Sequence, residues 1–439
     1  MKKMHPLYII NLTERTERLA HILNEFKGRS EFALKIQKAK RHKNGALGLW
    51  QNFVKIVSKA QKANLEYVII CEDDHQFTKN YSSQKLDESI SKAKAQNADI
   101  LLGGVSWFNS AMQLSQNIFW VDNFSGTQFT IIYQKFYSSF LEMKFKKGDS
   151  IDYSICDLTD NVMMIYPLIS TQKEFGYSDV TVINNFAGQV TYAFKNVSRT
   201  LRQLIRVYKH YKPLLNLSSD MIEHMENIVI PTYVINLAKR VERLESIKNQ
   251  FSGKPEFDLN IIEACEHEIG AVGLWESIIK VIRIAIQNED DVIIICEDDH
   301  EFTEFYSKEY LFSNILEAHE QGIDYLSGGT AGFDSAIPLS VNRFWLHPSS
   351  ASQFLVVYSK FFDRILNEAY DNNVIADIKL ASLTSNKMVI YPFISRQKDF
   401  GYSDITWQHN ENPGLVQTMF KRTEARLEKI QRAYIKYTS

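Results

Sequence analysis

The chain has 439 residues, which is enough for two or three domains, and its 45% hydrophobic and 23% charged content is typical of an ordinary globular protein. A formal net charge of −2 gives no global sign of a nucleic-acid partner. The four cysteines form no CxxC pair, and no run of about 18 apolar residues predicts a membrane-spanning helix.

The sequence repeats itself at an offset of 225 residues. "VIICEDDHQF" (68–77) and "IIICEDDHEF" (293–302) share eight of ten positions, and "YPLISTQKEFGYSD" (166–179) shares 11 of 14 with "YPFISRQKDFGYSD" (391–404). The pairs "YIINLTERTERL"/"YVINLAKRVERL" and "GALGLW"/"GAVGLW" keep the same offset. One offset held over roughly 170 residues predicts two copies of a whole domain rather than a solenoid of small units.

Each copy has the pattern of an α/β domain. "LYIIN" and "TYVIN" are short apolar runs typical of buried strands, and residues 46–63 place an apolar stripe on one face of a helix. The runs "EYVIIC", "ADILLGG", "FTIIY" and "NVMMIYP" predict further strands in the first copy. This alternation predicts two tandem Rossmann-like domains, each with a mostly parallel sheet covered by helices on both faces.

The predicted boundaries follow from these patterns. We expect domain 1 at 1–194, a basic helical linker at 195–229, domain 2 at 230–415 and a C-terminal helix at 416–439. The basic faces of the two helical segments could contact anionic lipid, or they could be solvated faces packed on their own domains. Because the N-terminus lacks an apolar signal segment, a cytoplasmic protein is expected, with peripheral contact at the inner face of a membrane as the alternative.

Three adjacent carboxylates follow one buried strand in each copy, at Glu72–Asp74 and at Glu297–Asp299. Ligands of open α/β sheets bind at the carboxyl ends of strands, and clustered carboxylates require a cation or strong hydrogen bonds. Oxygen ligands favour Mn²⁺ or Mg²⁺. The predicted metal ligands are Glu72, Asp74, Glu297 and Asp299, and the alternative is an acidic turn without a metal. His75 and His300 follow directly, and a hydrogen-bonded loop histidine is favoured over a ligand for each.

Other polar residues recur in both copies and have two interpretations each. Arg15, Arg18, Arg240 and Arg243 at the start of a helix could hold phosphate or order the loop, or they could be exposed charges paired with neighbouring glutamates. Gln128 and Gln353 precede a strand, where an amide could bind sugar hydroxyls or cap the strand.

Two pairs of aspartates are candidates for catalysis. Asp152 and Asp377 recur in otherwise different contexts and are candidates for a general base, with a helix N-cap as the competing interpretation. Asp179 and Asp404, in "FGYSD", are the second candidates, either for catalysis or for metal binding.

The order of these motifs resembles glycosyltransferase family 25, the lipooligosaccharide and collagen galactosyltransferase-like group. The resemblance rests on "YVINLxxRxxR", a "GxxG" helix start, an apolar strand with "EDD", and "YPxISxQxxxxSD", and it covers most of both copies. It implies a GT-A-type fold that holds Mn²⁺ and a UDP-sugar, and inverting transfer to a hydroxyl deprotonated by a base. It also implies nucleotide-sugar contacts at Asn11, Arg15, Arg18 and Asp73, and at Asn236, Arg240, Arg243 and Asp298.

The two copies depart from the family pattern differently. Family members often carry an acid before the helix, where the second copy has Glu268 and the first has Lys43. The first copy reads "SGTQF", whereas the second reads "SASQF" and lacks the Gly-Thr pair. The two sites are therefore expected to differ in donor or acceptor, or one of them is impaired.

The resulting hypothesis is a metal-dependent hexosyltransferase with two active sites, with galactose favoured over glucose. Its acceptor would be a glycan, a lipid-linked glycan or a protein, and the resemblance points to lipopolysaccharide biosynthesis. The alternative is one catalytic domain with a degenerate domain that binds acceptor or serves as a scaffold. A nucleotidyltransferase is disfavoured, because the loop after the first strand, "NLTERTERL", has no glycine.

Overall fold

The repeat in the sequence is a repeat of strands and helices in the structure. The computed structural model describes residues 4–146, 148–177, 186–212, 228–350, 352–370, 374–401 and 414–438. It divides into two units, Met1–Ile205 with Lys436–Ser439 and Arg206–Ile435, which are called domain 1 and domain 2.

Domain 1 alternates strands and helices in the order that its apolar runs predict. Its strands are β1 His5–Leu12, β2 Phe32–Ala39, β3 Tyr67–Glu72, β4 His75–Phe77, β5 Ile100–Leu102, β6 Trp107–Ser115, β7 Ile118–Ser125, β8 Phe129–Tyr133, β9 Val162–Ile165 and β10 Ser170–Gln172. Its helices are α1 Thr16–Glu25, α2 Gly45–Lys62, α3 Ser83–Ala95, α4 Tyr137–Glu142, α5 Ile151–Leu158 and α6 Gln189–Tyr211, the last of which continues into the second unit.

Domain 2 repeats this order. Its strands are β11 Ile230–Asn236, β12 Phe257–Glu263, β13 Val292–Glu297, β14 His300–Phe302, β15 Tyr325–Ser327, β16 Gly332–Pro338, β17 Arg343–Ser350, β18 Phe354–Tyr358, β19 Lys387–Ile390 and β20 Ser395–Gln397. Its helices are α7 Val241–Phe251, α8 Gly270–Gln287, α9 Lys308–Glu320, α10 Phe362–Leu366, α11 Ala376–Leu383 and α12 Leu415–Thr438.

Each domain has one large sheet with the same strand order. In domain 1 the order is β2-β1-β3-β8-β5-β9-β7-β6, and in domain 2 it is β12-β11-β13-β18-β15-β19-β17-β16. The pairing directions place six of the eight described strands in one direction and reverse the other two, β7 and β8 in domain 1 and their counterparts in domain 2. This confirms the prediction of two α/β domains with mostly parallel sheets.

The helix before the acidic strand forms as its periodicity predicts. Trp50, Phe53 and Val57 are buried along one face of α2, and the Asn44 side chain accepts a hydrogen bond from the Leu47 N–H at the helix start. Gly48 brings this first turn against the preceding loop, because a Cβ there would lie 2.9 Å from the His42 Cβ. The helix thereby holds residues 40–43 beside the carboxyl edge of the sheet.

The predicted basic helices are observed with shifted ends. α6 begins at Gln189, before the expected 195, and runs through the predicted boundary, while residues 213–227 lie outside the described part of the chain. The C-terminal helix begins at Leu415. Among the helices within the described ranges, none has the length and apolar character needed to cross a bilayer.

Candidate functional site

The acidic turn of each domain lies beside the end of the first strand. β1 and β3 pair in parallel with Ile10 opposite Glu72, and Ile235 lies opposite Glu297 in the same way in domain 2. Because both strands end at this edge, Asn11 and the carboxylates that follow Glu72 come together. This is the edge of an α/β sheet at which ligands bind.

The middle carboxylate of the turn is bound from several sides by the protein itself. Asp73 accepts hydrogen bonds from the Asn11 amide at 3.0 Å and the Arg18 guanidinium at 3.2 Å, and Arg15 lies 3.8 Å away. Asp73 and Arg18 are each only 5% exposed. Domain 2 repeats the arrangement with Asn236, Arg240 and Arg243 around Asp298, at 3.0, 3.2 and 3.0 Å.

These contacts show which interpretation of the arginines is correct. Arg18 and Arg243 are buried ion-pair partners that order the acidic turn, so for them the interpretation as exposed helix charges is wrong. The Arg18 guanidinium also donates to the Tyr177 carbonyl oxygen at 2.7 Å and lies over the Tyr177 ring. Arg15 and Arg18 both line the cavity described below, so the predicted contact with phosphate remains a prediction.

The outer two carboxylates of the turn, Glu72 and Asp74, have fewer close contacts with cationic side chains than Asp73 has. Glu72 accepts a hydrogen bond from the Thr127 hydroxyl at 2.7 Å, and Asp74 lies 3.5 Å from Arg18. The Asp74 Oδ1 is buried and has no hydrogen-bond partner among the described residues. Burial, followed by the neighbouring Asp74 carboxylate, raises the pKa of Glu72. Burial, followed by Asp73, raises the pKa of Asp74. In domain 2, Ser352 replaces Thr127 on Glu297, and the pKa values of Glu297 and Asp299 are raised for the same reasons.

A divalent cation would neutralise the negative charge of Glu72 and Asp74, although the protein would supply few of its ligands. Within the described ranges, no group of three or more His, Cys, Asp or Glu side chains is arranged to hold a metal ion. Glu72 and Asp74 together offer carboxylate oxygens, one of which accepts no hydrogen bond from the described part of the chain, and hard cations favour such oxygens. A cation there would need further oxygens from a diphosphate or from water.

The histidine after each acidic turn is part of the core. His75 is fully buried, and its Nδ1 lies 2.8 Å from the Ser170 hydroxyl, as His300 does with Ser395. Burial lowers the pKa of His75 to about 3, so the ring is neutral. The predicted hydrogen bond is therefore confirmed, but the predicted loop position is wrong, because each histidine is the buried first residue of a strand, β4 or β14.

Asp152 faces the acidic turn from the other side of the cavity. It is the second residue of α5, one position after the start, so the N-cap interpretation is wrong for it; Ser150 occupies that position. Its carboxylate accepts from the Tyr153 N–H at 3.1 Å and the Gly126 N–H at 3.4 Å. Asp152 adds to the rise in the pKa of Glu72, as Asp377 does for Glu297, so each aspartate is brought close to the acidic turn. Asp377 likewise follows the first residue of α11.

Two of the predicted pairs do not line the cavity within the described residues. Gln128 and Gln353 are fully buried, and the amide of Gln128 donates to the Gly104 carbonyl oxygen at 2.9 Å. They therefore hold the strand start in place beneath the cavity, and the structure does not bring them to its surface as sugar-binding groups. Asp179 and Asp404 lie outside the described residues.

A cavity of about 500 Å³ opens over the acidic turn of domain 1. One side is formed by Arg15, Arg18 and Lys40, and another by Trp107, Asp152 and Tyr153. A cavity of about 580 Å³ lies over the ends of β11 and β13 in domain 2, and its lining includes Lys239, Arg240, Glu266 and Glu268. Asp299 and Asp377 are not among its described lining residues.

Several residues of the site escaped the reasoning from sequence. Thr127 and Lys173 belong to segments that recur in both copies, at Ser352 and Lys398, so the repeat carried a signal for them. The Lys173 N–H donates to the Asp74 carbonyl oxygen at 2.8 Å, and its side chain lines the cavity. Trp107 and Tyr153 are replaced by Gly332 and Ile378 in the second copy, so the repeat gave no signal for them.

The chain matches no protein-family model and no curated protein. Among solved structures it is similar to A197 from STIV, at 12% identity and a TM-score of 0.26, over 42% of this chain and 91% of that one. It is also similar to apo-UDP-glucose pyrophosphorylase, at 9% identity and a TM-score of 0.28, over 44% of this chain and 82% of that one. Likeness at this level carries no argument about activity.

Proposed function

We propose that the chain is a glycosyltransferase that transfers a hexose, with galactose favoured, from a UDP-sugar to a hydroxyl of a glycan, lipid-linked glycan or protein. The observation that carries this proposal is the cavity at the carboxyl ends of β1 and β3. Its lining combines cationic side chains with two carboxylates, Glu72 and Asp74, that these cations do not fully neutralise. A third carboxylate, Asp152, lies on the opposite wall. These are the groups that a sugar diphosphate and an attacking hydroxyl require.

The residues of domain 1 would divide this chemistry between them. Arg15, Lys40 and Lys173 would attract the diphosphate, while the pair of Arg18 and Asp73 fixes the acidic turn beneath it. A divalent cation (Mn²⁺ or Mg²⁺) held by Glu72 and Asp74 would neutralise charge on the departing diphosphate. Domain 2 would use Glu297 and Asp299 in the same way.

Asp152 would act as the base in domain 1, and Asp377 in domain 2. The carboxylate would accept the acceptor's hydroxyl proton as that oxygen bonds to the anomeric carbon. The bond from the anomeric carbon to the diphosphate oxygen would break at the same time, with its electron pair leaving on UDP. Gly126 and Tyr153 hold the Asp152 carboxylate with their N–H groups, and they would fix its direction toward the cavity.

A second candidate function is favoured by the difference between the two cavities. In domain 2 the loop beside the cavity carries Glu266 and Glu268, where domain 1 has Arg41 and Lys43. Added negative charge at the mouth of a site repels a diphosphate. Domain 1 would then be the catalytic copy, and domain 2 would bind acceptor or serve as a scaffold.

Calorimetric titration of UDP with Mn²⁺ separates the two candidates. The proteins are the wild type, Asp74→Asn and Asp299→Asn, with Asp157→Asn, an exposed carboxylate on α5, as the matched control. Two sites in the wild type, with one lost in each variant, support two active sites. One site lost only in Asp74→Asn supports a single catalytic domain.

Two results would contradict the proposal. If UDP with Mn²⁺ does not bind the wild type, the nucleotide assignment fails. If binding survives unchanged in the double variant Asp74→Asn with Asp299→Asn, the cation assignment fails. The release of UDP from UDP-galactose and from UDP-glucose, measured on the same proteins, then identifies which hexose is transferred.

A further inference from the structure

Four of the described residues that line the cavity of domain 1 are exposed aromatics, Trp107, Tyr153, Tyr177 and Tyr192, and the rings of Trp107 and Tyr153 lie against each other. Trp107 is 45% exposed and Tyr153 is 48% exposed, although both belong to regular elements, β6 and α5. Their ring centroids lie 6.3 Å apart and their planes meet at 63°. The pair, which we call the aromatic corner, presents two apolar faces at a steep angle to each other. Exposed apolar surface of this size inside a cavity favours a ligand that covers it.

The aromatic corner is fixed to the candidate base. Tyr153 directly follows Asp152, whose carboxylate accepts the Tyr153 N–H at 3.1 Å. Trp107 pairs with Ser125 in the sheet, and the next residue, Gly126, donates its N–H to the same carboxylate. A ligand seated against the two rings would therefore lie beside Asp152.

The charges of the cavity indicate which part of a substrate this corner receives. The cations that line the cavity come from the end of β1, the start of α1, the loop after β2 and the segment after β10. The wall formed by Ser106, Trp107, Ser125, Gly126 and Tyr153 carries no cation. A diphosphate is attracted to the first group, which leaves the second for an uncharged group.

A pyranose ring has the matching chemistry. Its C–H faces are apolar and pack on aromatic rings, and its hydroxyls donate hydrogen bonds to a carboxylate such as Asp152. We propose that Trp107 and Tyr153 form the subsite of domain 1 that binds the acceptor sugar, and that they set its specificity. This inference rests on the proposed transferase function, because only that function makes Asp152 a base for an acceptor hydroxyl.

Domain 2 lacks the aromatic corner. Gly332 and Ile378 stand at the positions of Trp107 and Tyr153 in the repeat, and both lie in the same elements of domain 2, β16 and α11. A glycine offers no face to a sugar ring, and an isoleucine offers no flat one. The subsite is therefore assigned to domain 1 alone, and a sugar bound by domain 2 would have to be held in another way.

The test measures sugar binding and nucleotide binding separately. Saturation-transfer NMR is recorded with a panel of methyl β-glycosides of galactose, glucose, N-acetylglucosamine and mannose, in the presence of UDP and Mn²⁺. The proteins are the wild type, Trp107→Ala, Trp107→Phe and Tyr153→Ala. The matched control is Phe305→Ala, which removes an aromatic that is also 45% exposed and is not among the lining residues of either cavity.

We expect the sugar C–H protons to receive saturation in the wild type and binding to weaken about tenfold in Trp107→Ala. Trp107→Phe, which keeps a ring, should retain most of the binding, and Phe305→Ala should retain all of it. The affinity for UDP, measured by calorimetry, should change less than about twofold in Trp107→Ala. With an active wild type, the KM for the acceptor should rise while the KM for the donor stays constant.

Three results would overturn the inference. In the first, no glycoside of the panel receives saturation from the wild type. In the second, sugar binding is equal in wild type and Trp107→Ala. In the third, Trp107→Ala weakens UDP about tenfold or more, which is the loss expected if the ring stacks on the base. If the wild type binds a glycoside through Trp107 but not UDP, the transferase proposal fails while the sugar subsite stands.

Discussion

Domain 1 and domain 2 share the buried part of their sites and differ in the exposed part. The buried ion pair is the same in both, with Arg18 on Asp73 and Arg243 on Asp298 at nearly equal distances. The loop beside each cavity instead reads "KRHK" (40–43) in domain 1 and "CEHE" (265–268) in domain 2. Buried charges tolerate little change because each one needs its partner, whereas exposed charges can change sign at small cost to stability.

A difference in function between the two domains would arise in the exposed walls of their cavities. Both domains keep the parts that hold the acidic turn, so both are expected to fold with the same turn geometry. The exposed walls of each cavity determine which ligand can bind, and these walls differ between the two domains. Division of labour between the copies would therefore reside in the loop charges and the aromatic corner.

The largest expected effect concerns the shared part. Asp73→Asn should lower the free energy of unfolding of domain 1 by about 3–5 kcal/mol, because it removes the nearer of the two carboxylates that pair with the buried Arg18 guanidinium. Asp298→Asn should do the same in domain 2. Hydrogen exchange measured by mass spectrometry localises the loss, and peptides from β1 and α1 should exchange at least about a hundredfold faster in Asp73→Asn.

The neighbouring acid provides the contrast for this prediction. Asp74→Asn should cost much less, since burial and Asp73 already raise the pKa of Asp74 and thus disfavour its ionised form. Asp157→Asn, on the exposed face of α5, should change stability by less than about 0.5 kcal/mol. A loss confined to Asp73→Asn, with Asp298→Asn as stable as the wild type, would show that the two buried clusters are not equivalent.

A smaller effect is expected from the loops. Glu266→Arg with Glu268→Lys gives domain 2 the charges of domain 1 and should tighten its binding of UDP on the order of tenfold at low ionic strength. Arg41→Glu with Lys43→Glu should weaken the binding of UDP by domain 1 by a similar factor. Because all four side chains are exposed, salt should remove most of each effect. Calorimetric titration at two salt concentrations measures both.

The loop prediction needs a control for net charge alone. Glu304→Lys with Glu309→Lys makes the same change in net charge at exposed residues that are not among those lining the cavity of domain 2. This variant should bind UDP as the wild type does. If it tightens binding as much as the loop variant, the loops do not distinguish the domains, and only the overall charge matters.

The parts of the fold that rest on local patterns were predictable from the sequence. Apolar runs such as "YVIIC" gave the strands, and the repeat placed an acidic turn at the same point of both sheets. The pairing of Arg18 with Asp73 was not predictable, since it depends on the direction in which α1 leaves β1 relative to the end of β3. The two residues are 55 positions apart, and the segment between them contains no periodic pattern that fixes that direction.

The sequence left the Gln128 amide with two interpretations and gave no signal for the exposed Trp107 ring, for opposite reasons. Gln128 stands in the polar run "SGTQF", which suggests a surface, but its amide reaches the Gly104 carbonyl oxygen in the core. Gly104 permits the close packing there, as a Cβ would lie 2.2 Å from the Ser170 carbonyl oxygen. Trp107 is of a residue type that usually packs in a core, and only the structure shows it exposed on a cavity wall.

The smallest expected effect concerns the glycine that separates "SGTQF" from "SASQF". Gly126 has φ +117°, and a Cβ there would lie 2.9 Å from the Gln128 Oε1. Gly126→Ala should therefore lower the free energy of unfolding of domain 1 by about 1–2 kcal/mol.

Gly28→Ala is the matched control, because Gly28 also has a positive φ, at +79°, but a Cβ there would meet nothing within 4 Å. The difference between the two variants in denaturant unfolding isolates the contact with Gln128 from the backbone strain. Gly126→Ala should also lower the rate of transfer by domain 1, because relief of the contact with Gln128 would shift the backbone N–H that holds Asp152. Equal stability and equal activity in Gly126→Ala and wild type would mean that the glycine does not distinguish the two copies, and their difference would then rest on the loops and the aromatic corner.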